Sequence, residues 1–152
     1  MALSISSSAF AAGQSIPAIY SCLGRSVSPP LSWTGAPAGT ASFALIMDDP
    51  DAPIGTFVHW VIFNIPASGS GLPEAVPGSA KLTDGTLQGS NGAGQTGYAG
   101  PCPPSGTHRY FFKLYALDTV LNLPSGASKD QLLKAMQGHI LAQGELIGTF
   151  NK

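Results

Sequence analysis

The chain has 152 residues, of which only 10% are charged, and a net charge of −1 with a pI near 6.2. That size fits one domain spanning residues 1–152, and its seven scattered basic residues leave no footprint for nucleic acid. No run is long and apolar enough to span a bilayer, so a soluble, cytoplasmic protein is expected.

Nineteen glycines and thirteen prolines beside an apolar fraction of 43% predict many turns between short strands. Residues 2–10 read as a first strand rather than a leader, because serines interrupt the apolar part and no positive flank precedes it. Residues 13–17 turn the chain, and Ile19 to Cys22 predict an edge segment. Pro29 and Pro30 forbid helix and hold Trp33 extended, as a core residue. Ser42 to Met47 is a continuous apolar run of strand length.

Next, Asp48-Asp49-Pro50-Asp51 places three of the eight acidic residues on a proline-stiffened turn that continues to Pro53. Unpaired charge is costly to bury, so these carboxylates need His59, Arg109 or backbone N–H groups as partners. Phe57 to Ile65 is apolar at both parities, which predicts a central strand covered on both sides. Strict alternation would put His59 with Phe57 and Val61, and Trp60 with Val58 and Ile62. From Pro66 to Gly97 the chain is Gly-, Ser- and Pro-rich, with strand hints only at residues 81–83 and 86–87.

In Gly100-Pro101-Cys102-Pro103-Pro104 the prolines remove donors and fix φ, leaving the Cys102 N–H as a rigid donor suited to an anion. Cys22 and Cys102 are either both reduced or joined in one bridge. In the strand Tyr110 to Leu117, the face of His108, Tyr110, Phe112 and Leu114 opposes that of Arg109, Phe111, Lys113 and Tyr115. A helix starts at Ser128, where Gln131 completes a capping box. Leu132, Leu133, Met136, Ile140 and Leu141 continue it at helical spacing, weakened at Gly138 and ended at Gly144. Residues 145–150 form the last strand. The pattern predicts an all-β fold: an antiparallel β-sandwich with one C-terminal helix packed at its edge.

His59 and His108, backed by Asp49 or Asp51, would make an anion receptor. A carboxylate holding one imidazole N–H favours the protonated ring and leaves the other N–H for a phosphate or carboxylate oxygen. Arg109, on the opposite face, is expected to neutralise an aspartate. His139 is expected to be solvated or interfacial. The competing chemistry is a hydrolase with Cys102 as nucleophile and His108 as base, disfavoured by the flanking prolines and the possible bridge. A metal site of His59, His108 and a carboxylate lacks short ligand spacing.

Six motifs in order carry a family resemblance: Ser28-Pro29-Pro30-Leu31-Ser32-Trp33, Asp49-Pro50-Asp51-Ala52-Pro53, Phe57-Val58-His59-Trp60, Gly100-Pro101-Cys102-Pro103-Pro104, His108-Arg109-Tyr110, and Gly138-His139-Ile140-Leu141-Ala142. Together they resemble the phosphatidylethanolamine-binding protein family, in its short bacterial and archaeal branch, often labelled Raf kinase inhibitor-like. The resemblance implies a β-sandwich with a small pocket for phosphate, phosphoethanolamine-like or carboxylate groups. It implies walls from Asp49, Asp51, Pro53, His59, Trp60, Cys102, Pro103, Pro104, His108 and Tyr110. It further implies a cis peptide at Ala52–Pro53, a homodimer, and a regulatory or inhibitory binding module, open to a protein partner, rather than an enzyme; no cofactor is expected. Leu23 and Ser26 depart from the branch, which usually has aspartate and asparagine there.

Overall fold

A computed structural model describes residues 2–152 as two antiparallel sheets and one helix. The small sheet has the order β1-β2-β5, from Ser4–Ser6, Leu31–Thr34 and Gly71–Leu72. The large sheet has the order β6-β4-β3-β7-β8, with β3 at Ser42–Asp49, β4 at Phe57–Pro66, β6 at Leu87–Gln88, β7 at Thr107–Leu117 and β8 at Ile140–Asn151. The apolar run of β3 is buried throughout because β4 and β7 flank it and both faces are covered.

Two cores follow from alternation. Phe43, Leu45 and Met47 of β3 pack with Tyr110, Phe112 and Leu114 of β7 and with Ile5, Leu31 and Trp33 of the small sheet. On the outer face, Ala44, Ile46, Val61, Phe63, Tyr115 and Leu117 meet Leu132 and Met136 of the helix α1, Lys129–Met136. The helix expected at the edge of the sandwich therefore covers the outer face of the large sheet.

β4 departs from strict alternation. Met47 and Asp48 pair with Trp60 and Val58, so His59 is an extra residue, a β-bulge. Val58 and Val61 consequently both pack in the outer core, while the ring of His59 meets Tyr110 on the inner side, with centroids 5.2 Å apart. The expected face with His59 beside Val61 is corrected by this insertion. A second irregularity in the same pairing lies near Asn64, whose φ of 55° is left-handed, and it lets Ile62 and Ile65 both face the inner core.

Three other expectations are revised. Residues 18–20 form a single 3-10 turn rather than an edge segment, entered from Pro17 at φ −57°. The helix ends at Met136 because Gly138 adopts a left-handed φ of 81°, and Ile140 and Leu141 open β8 as exposed residues. The 66–97 stretch is tied down by β5, β6 and the bridge between Lys81 and Leu87. No described helix is long and apolar enough to cross a membrane.

The helix start matches the sequence: Ser128 Oγ accepts from Gln131 N at 3.2 Å, and Gln131 Oε1 accepts from Ser128 N at 3.0 Å. Ser128→Ala is expected to lower unfolding free energy by about 1 kcal/mol. Urea denaturation checks this, with an unchanged m-value as the sign that only the cap was lost.

Candidate functional site

Asp48 and Asp49, adjacent at the end of β3, point to opposite faces. Asp48 Oδ2 accepts from Lys129 Nζ at 2.8 Å and from Lys113 Nζ at 3.3 Å, which ties α1 and β7 to β3 on the outer side. Asp49, on the inner side, accepts from His108 Nδ1 at 2.7 Å and from Asp51 N at 2.8 Å, so both its oxygens are used. Asp51 turns away to Arg109, accepting from Nε, from a terminal guanidinium nitrogen and from Arg109 N, each at 2.9 Å. The turn is thus fastened to β7 twice, by Asp49 to His108 and by Asp51 to Arg109, the role that the outward face of Arg109 predicts.

Beside this turn is a cavity of about 360 Å³. Asp49, Pro53, His59, Cys102, Pro103, Pro104, His108 and Tyr110 line it, so both imidazoles and the proline loop open on one hollow. Asp51 and Trp60 do not line it. Asp51 is drawn off by Arg109, and Trp60 Nε1 donates to Gln88 Oε1 at 2.8 Å, with the ring edge-on to Tyr98. Gln88 in turn donates to Pro77 O and Ser79 O, so Trp60 anchors the long loop. The cavity also takes in Ile54, Phe57, Ala93 and Ala99, which the sequence reading missed. Phe57 was legible as a strand neighbour of His59; nothing local marked Ala93 or Ala99.

His59 is 5% exposed and stands between Phe57 and Tyr110, both rings edge-on to it. Its Nδ1 donates to Ala99 O at 2.7 Å and Ala99 N donates to His59 O at 2.8 Å. No carboxylate backs this imidazole, contrary to expectation. Burial holds its pKa below the usual histidine value, outweighing the Ala99 carbonyl and the charges of Asp49 and Asp48, which act the other way. Tyr110 is fully buried, and its hydroxyl has no partner among the described residues. Burial, with Asp49 and Asp51 adding to it, pushes its pKa up and keeps the proton on oxygen.

Cys22 and Cys102 are bridged, which settles the alternative left open by the sequence and leaves no free cysteine among the described residues. The bridge joins the 3-10 segment to the proline loop, where Cys22 N also donates to Pro101 O and Gly100 N to Ser26 Oγ. A Cβ at Gly100 would lie 2.6 Å from Ser26 Oγ and from Tyr20 O, so only glycine lets the two segments approach this closely. Ser26, one of the two departures, therefore has a defined place in the wall. The Cys102 N–H, between Pro101 and Pro103, has no acceptor among the described residues. The Ala52–Pro53 bond is trans, correcting the expected cis peptide.

The described residues contain no group of three or more His, Cys, Asp or Glu side chains suited to a metal ion. A larger hollow of about 470 Å³ lies under residues 65–84; Lys81 and Asp84 are among its lining residues, but it has no histidine and no buried orphan hydroxyl. Size favours this hollow, and the meeting of His59, His108 and Tyr110 favours the smaller one.

The phosphatidylethanolamine-binding protein family profile matches residues 6–151, so the chain belongs to that family. A UPF0098 protein of Methanothermobacter thermautotrophicus is 58% identical over 137 residues, covering 90% of this chain and 91% of the relative. A UPF0098 protein of Aquifex aeolicus is 47% identical, covering 99% and 89%. Among solved structures, a phosphatidylethanolamine-binding protein homologue from Chlamydia trachomatis matches with a TM-score of 0.92 at 44% identity, covering 99% of this chain and 98% of the other. Escherichia coli YbcL matches with a TM-score of 0.91 at 32% identity, covering 100% and 99%.

Two measurements test the wall. Arg109 hydrogen bonds hold the Asp51 carboxyl at about 2, below its usual 3.8. The stability from this pair is therefore present above about pH 4 and is lost as pH falls through about 2. NMR titration should find that low midpoint in wild type and its return toward 3.8 in Arg109→Met. Separately, reducing the bridge, which spans 80 residues, should lower stability by roughly 4 kcal/mol on the chain-entropy scale. Thermal unfolding with and without a phosphine reductant checks this; unchanged melting would mean that the bridge does not constrain the unfolded chain.

Proposed function

We propose that this chain is a small-anion receptor: a binding or regulatory module that captures a phosphoryl group in the cavity between His59, His108 and Tyr110, and that it does not act as an enzyme. The observation that carries this reading is the hydroxyl of Tyr110, a buried donor without a protein partner on a residue that lines a mainly apolar hollow shared with His59 and His108. Buried polar groups are nearly always satisfied, and one left open at a cavity marks the place of a missing partner. The Cys102 N–H, held between prolines, offers a second donor at no ordering cost.

The hydrolase alternative is weakened because Cys102 is tied up as a disulfide and has no thiol to ionise. Such a bridge calls for an oxidising compartment or an intracellular setting that tolerates disulfides. A homodimer belongs to the same reading. The first residues of β8, at the edge of the large sheet, expose Ile140 and Leu141 and offer a surface for a second copy or a protein partner.

Tyr110→Phe separates function from fold. Removing an unpartnered buried hydroxyl should leave stability unchanged or raise it by about 1 kcal/mol, while phosphate affinity falls roughly five- to tenfold. Calorimetric titration with phosphate, paired with denaturant melts, reads both. Equal affinities for the two proteins would remove Tyr110 from the site and take away the main support for the receptor.

A further inference from the structure

The bridge in the cavity wall does not have the setting of a purely structural disulfide. Cys22 and Cys102 are both exposed, and neither belongs to the inner or the outer core. Exposed disulfides are the labile ones, open to attack by an outside thiolate, whereas sheltered ones resist reduction. Leu23, Gly24, Arg25 and Ser26 are exposed beside Cys22, as are Pro104, Ser105 and Gly106 beyond Cys102. Both strips of chain that carry the sulfurs therefore lie at the surface.

The bridge is also the main tether of the loop it closes. Ala99 is bonded to His59 at one end of that loop, and Thr107 enters β7 at the other. Between them, Gly100 N donates to Ser26 Oγ at 3.0 Å, Pro101 O accepts from Cys22 N at 3.1 Å, and Gly106 O accepts from Lys152 N at 3.3 Å. Among the described residues, Pro103, Pro104 and Ser105 make no hydrogen bond, and the one polar neighbour of Cys102 Sγ is Lys152 Nζ, 4.0 Å away. The bonds of Gly100 and Pro101 both go to the segment that carries Cys22. Cutting the S–S bond thus frees the middle of the wall while both cores stay packed. The Lys152 ammonium also makes the two sulfurs unequal, because it stabilises a thiolate on Cys102 and makes that sulfur the better leaving group.

From this we propose that Cys22–Cys102 is a thiol–disulfide exchange site for a dithiol reductant, and that its redox state decides whether the proline wall of the cavity is held or loose. A thiolate of the reductant bonds to Cys22 Sγ, the Cys22–Cys102 bond breaks, and Cys102 departs as a thiolate beside Lys152. The second thiolate of the reductant then attacks the reductant's own sulfur in the mixed disulfide and expels Cys22. Two electrons pass to the protein, both thiolates take up protons, and the reductant leaves as a disulfide. The exchange chemistry stands by itself, and only its effect on a bound anion rests on the receptor reading.

The test is reduction of the unmodified protein by dithiothreitol at neutral pH, followed by alkylation and mass spectrometry. The folded protein should be reduced at a rate within about tenfold of that of the urea-unfolded chain. A gap on the order of a thousandfold or more, which access through global unfolding imposes, would overturn the proposal. In the reduced protein, hydrogen exchange at the Cys22 and Gly100 amides should quicken by at least about tenfold, while the chemical shifts of β3, β4 and β7 remain those of the folded sheet. Unchanged exchange at both amides would overturn the control of the wall. Lys152→Met should slow reduction about two- to threefold at low salt and leave it unchanged at high salt. An equal rate at low salt would overturn the assigned direction of attack. Calorimetry with inorganic phosphate separates the two readings: affinity should fall at least about threefold on reduction. Equal affinities would overturn the control of the wall, and binding by neither form would overturn the receptor reading alone.

Discussion

One extra residue in β4 governs where the chemistry lies. Met47 and Asp48 are consecutive on β3, yet the residues that pair with them, Trp60 and Val58, have His59 between them. In an unbroken strand the parity of His59 would send it to the outer core beside Val61, beneath α1. The bulge rotates it to the inner side, where its ring meets Phe57 and Tyr110 and its Nδ1 reaches Ala99 O. Bulges serve this purpose at many sites, giving up ladder pairing to re-aim a side chain. Here the backbone around His59 is stitched to residue 99, so the change in ladder is compensated by a bond from the segment that leads into the proline loop.

The same end of the sheet sorts charge by alternation. Asp48 and Asp49 are neighbours in sequence, but the pleat sends one to Lys129 of α1 and Lys113 of β7 and the other to His108. Both are nearly fully buried; Asp49 has partners on both oxygens, while Asp48 holds its two lysines on Oδ2 and leaves Oδ1 without a partner among the described residues. Asp51 completes the arrangement from the solvent side by taking Arg109 in a forked pair. The turn that forms one wall of the cavity is thus held by β7 at two successive residues. The opposite wall is held by a covalent bond between Cys22 and Cys102. Rigid walls on both sides mean that little ordering is left for a ligand to induce.

The sequence was most legible where one strand could be read alone. Along β7, alternation put His108 and Tyr110 with Phe112 and Leu114, and the inner core contains Tyr110, Phe112 and Leu114 together. It was least legible where a neighbour decides. The β4 bulge exists only in its pairing with β3, so parity counting put His59 on the wrong face. Ile140 and Leu141 fit helical spacing after Met136, but the left-handed turn at Gly138 sends them into β8. Trp60 sits beside His59 in sequence, and only the position of Gln88 shows that it belongs to the loop anchor. Spacing offered three aspartates for two histidines and an arginine, and it did not say which would pair with which. Two cysteines 80 residues apart were equally silent about their bridge.

The central claim is that the hollow between His59, His108 and Tyr110 is the place where a phosphoryl group binds. The most direct measurement is a crystal structure with a bound phosphomonoester. The account predicts phosphoryl oxygens within hydrogen-bonding distance of Tyr110 Oη and His59 Nε2, with the Cys22–Cys102 bridge intact. A ligand seated in the larger hollow under residues 65–84, with Tyr110 Oη still unpartnered, would contradict it.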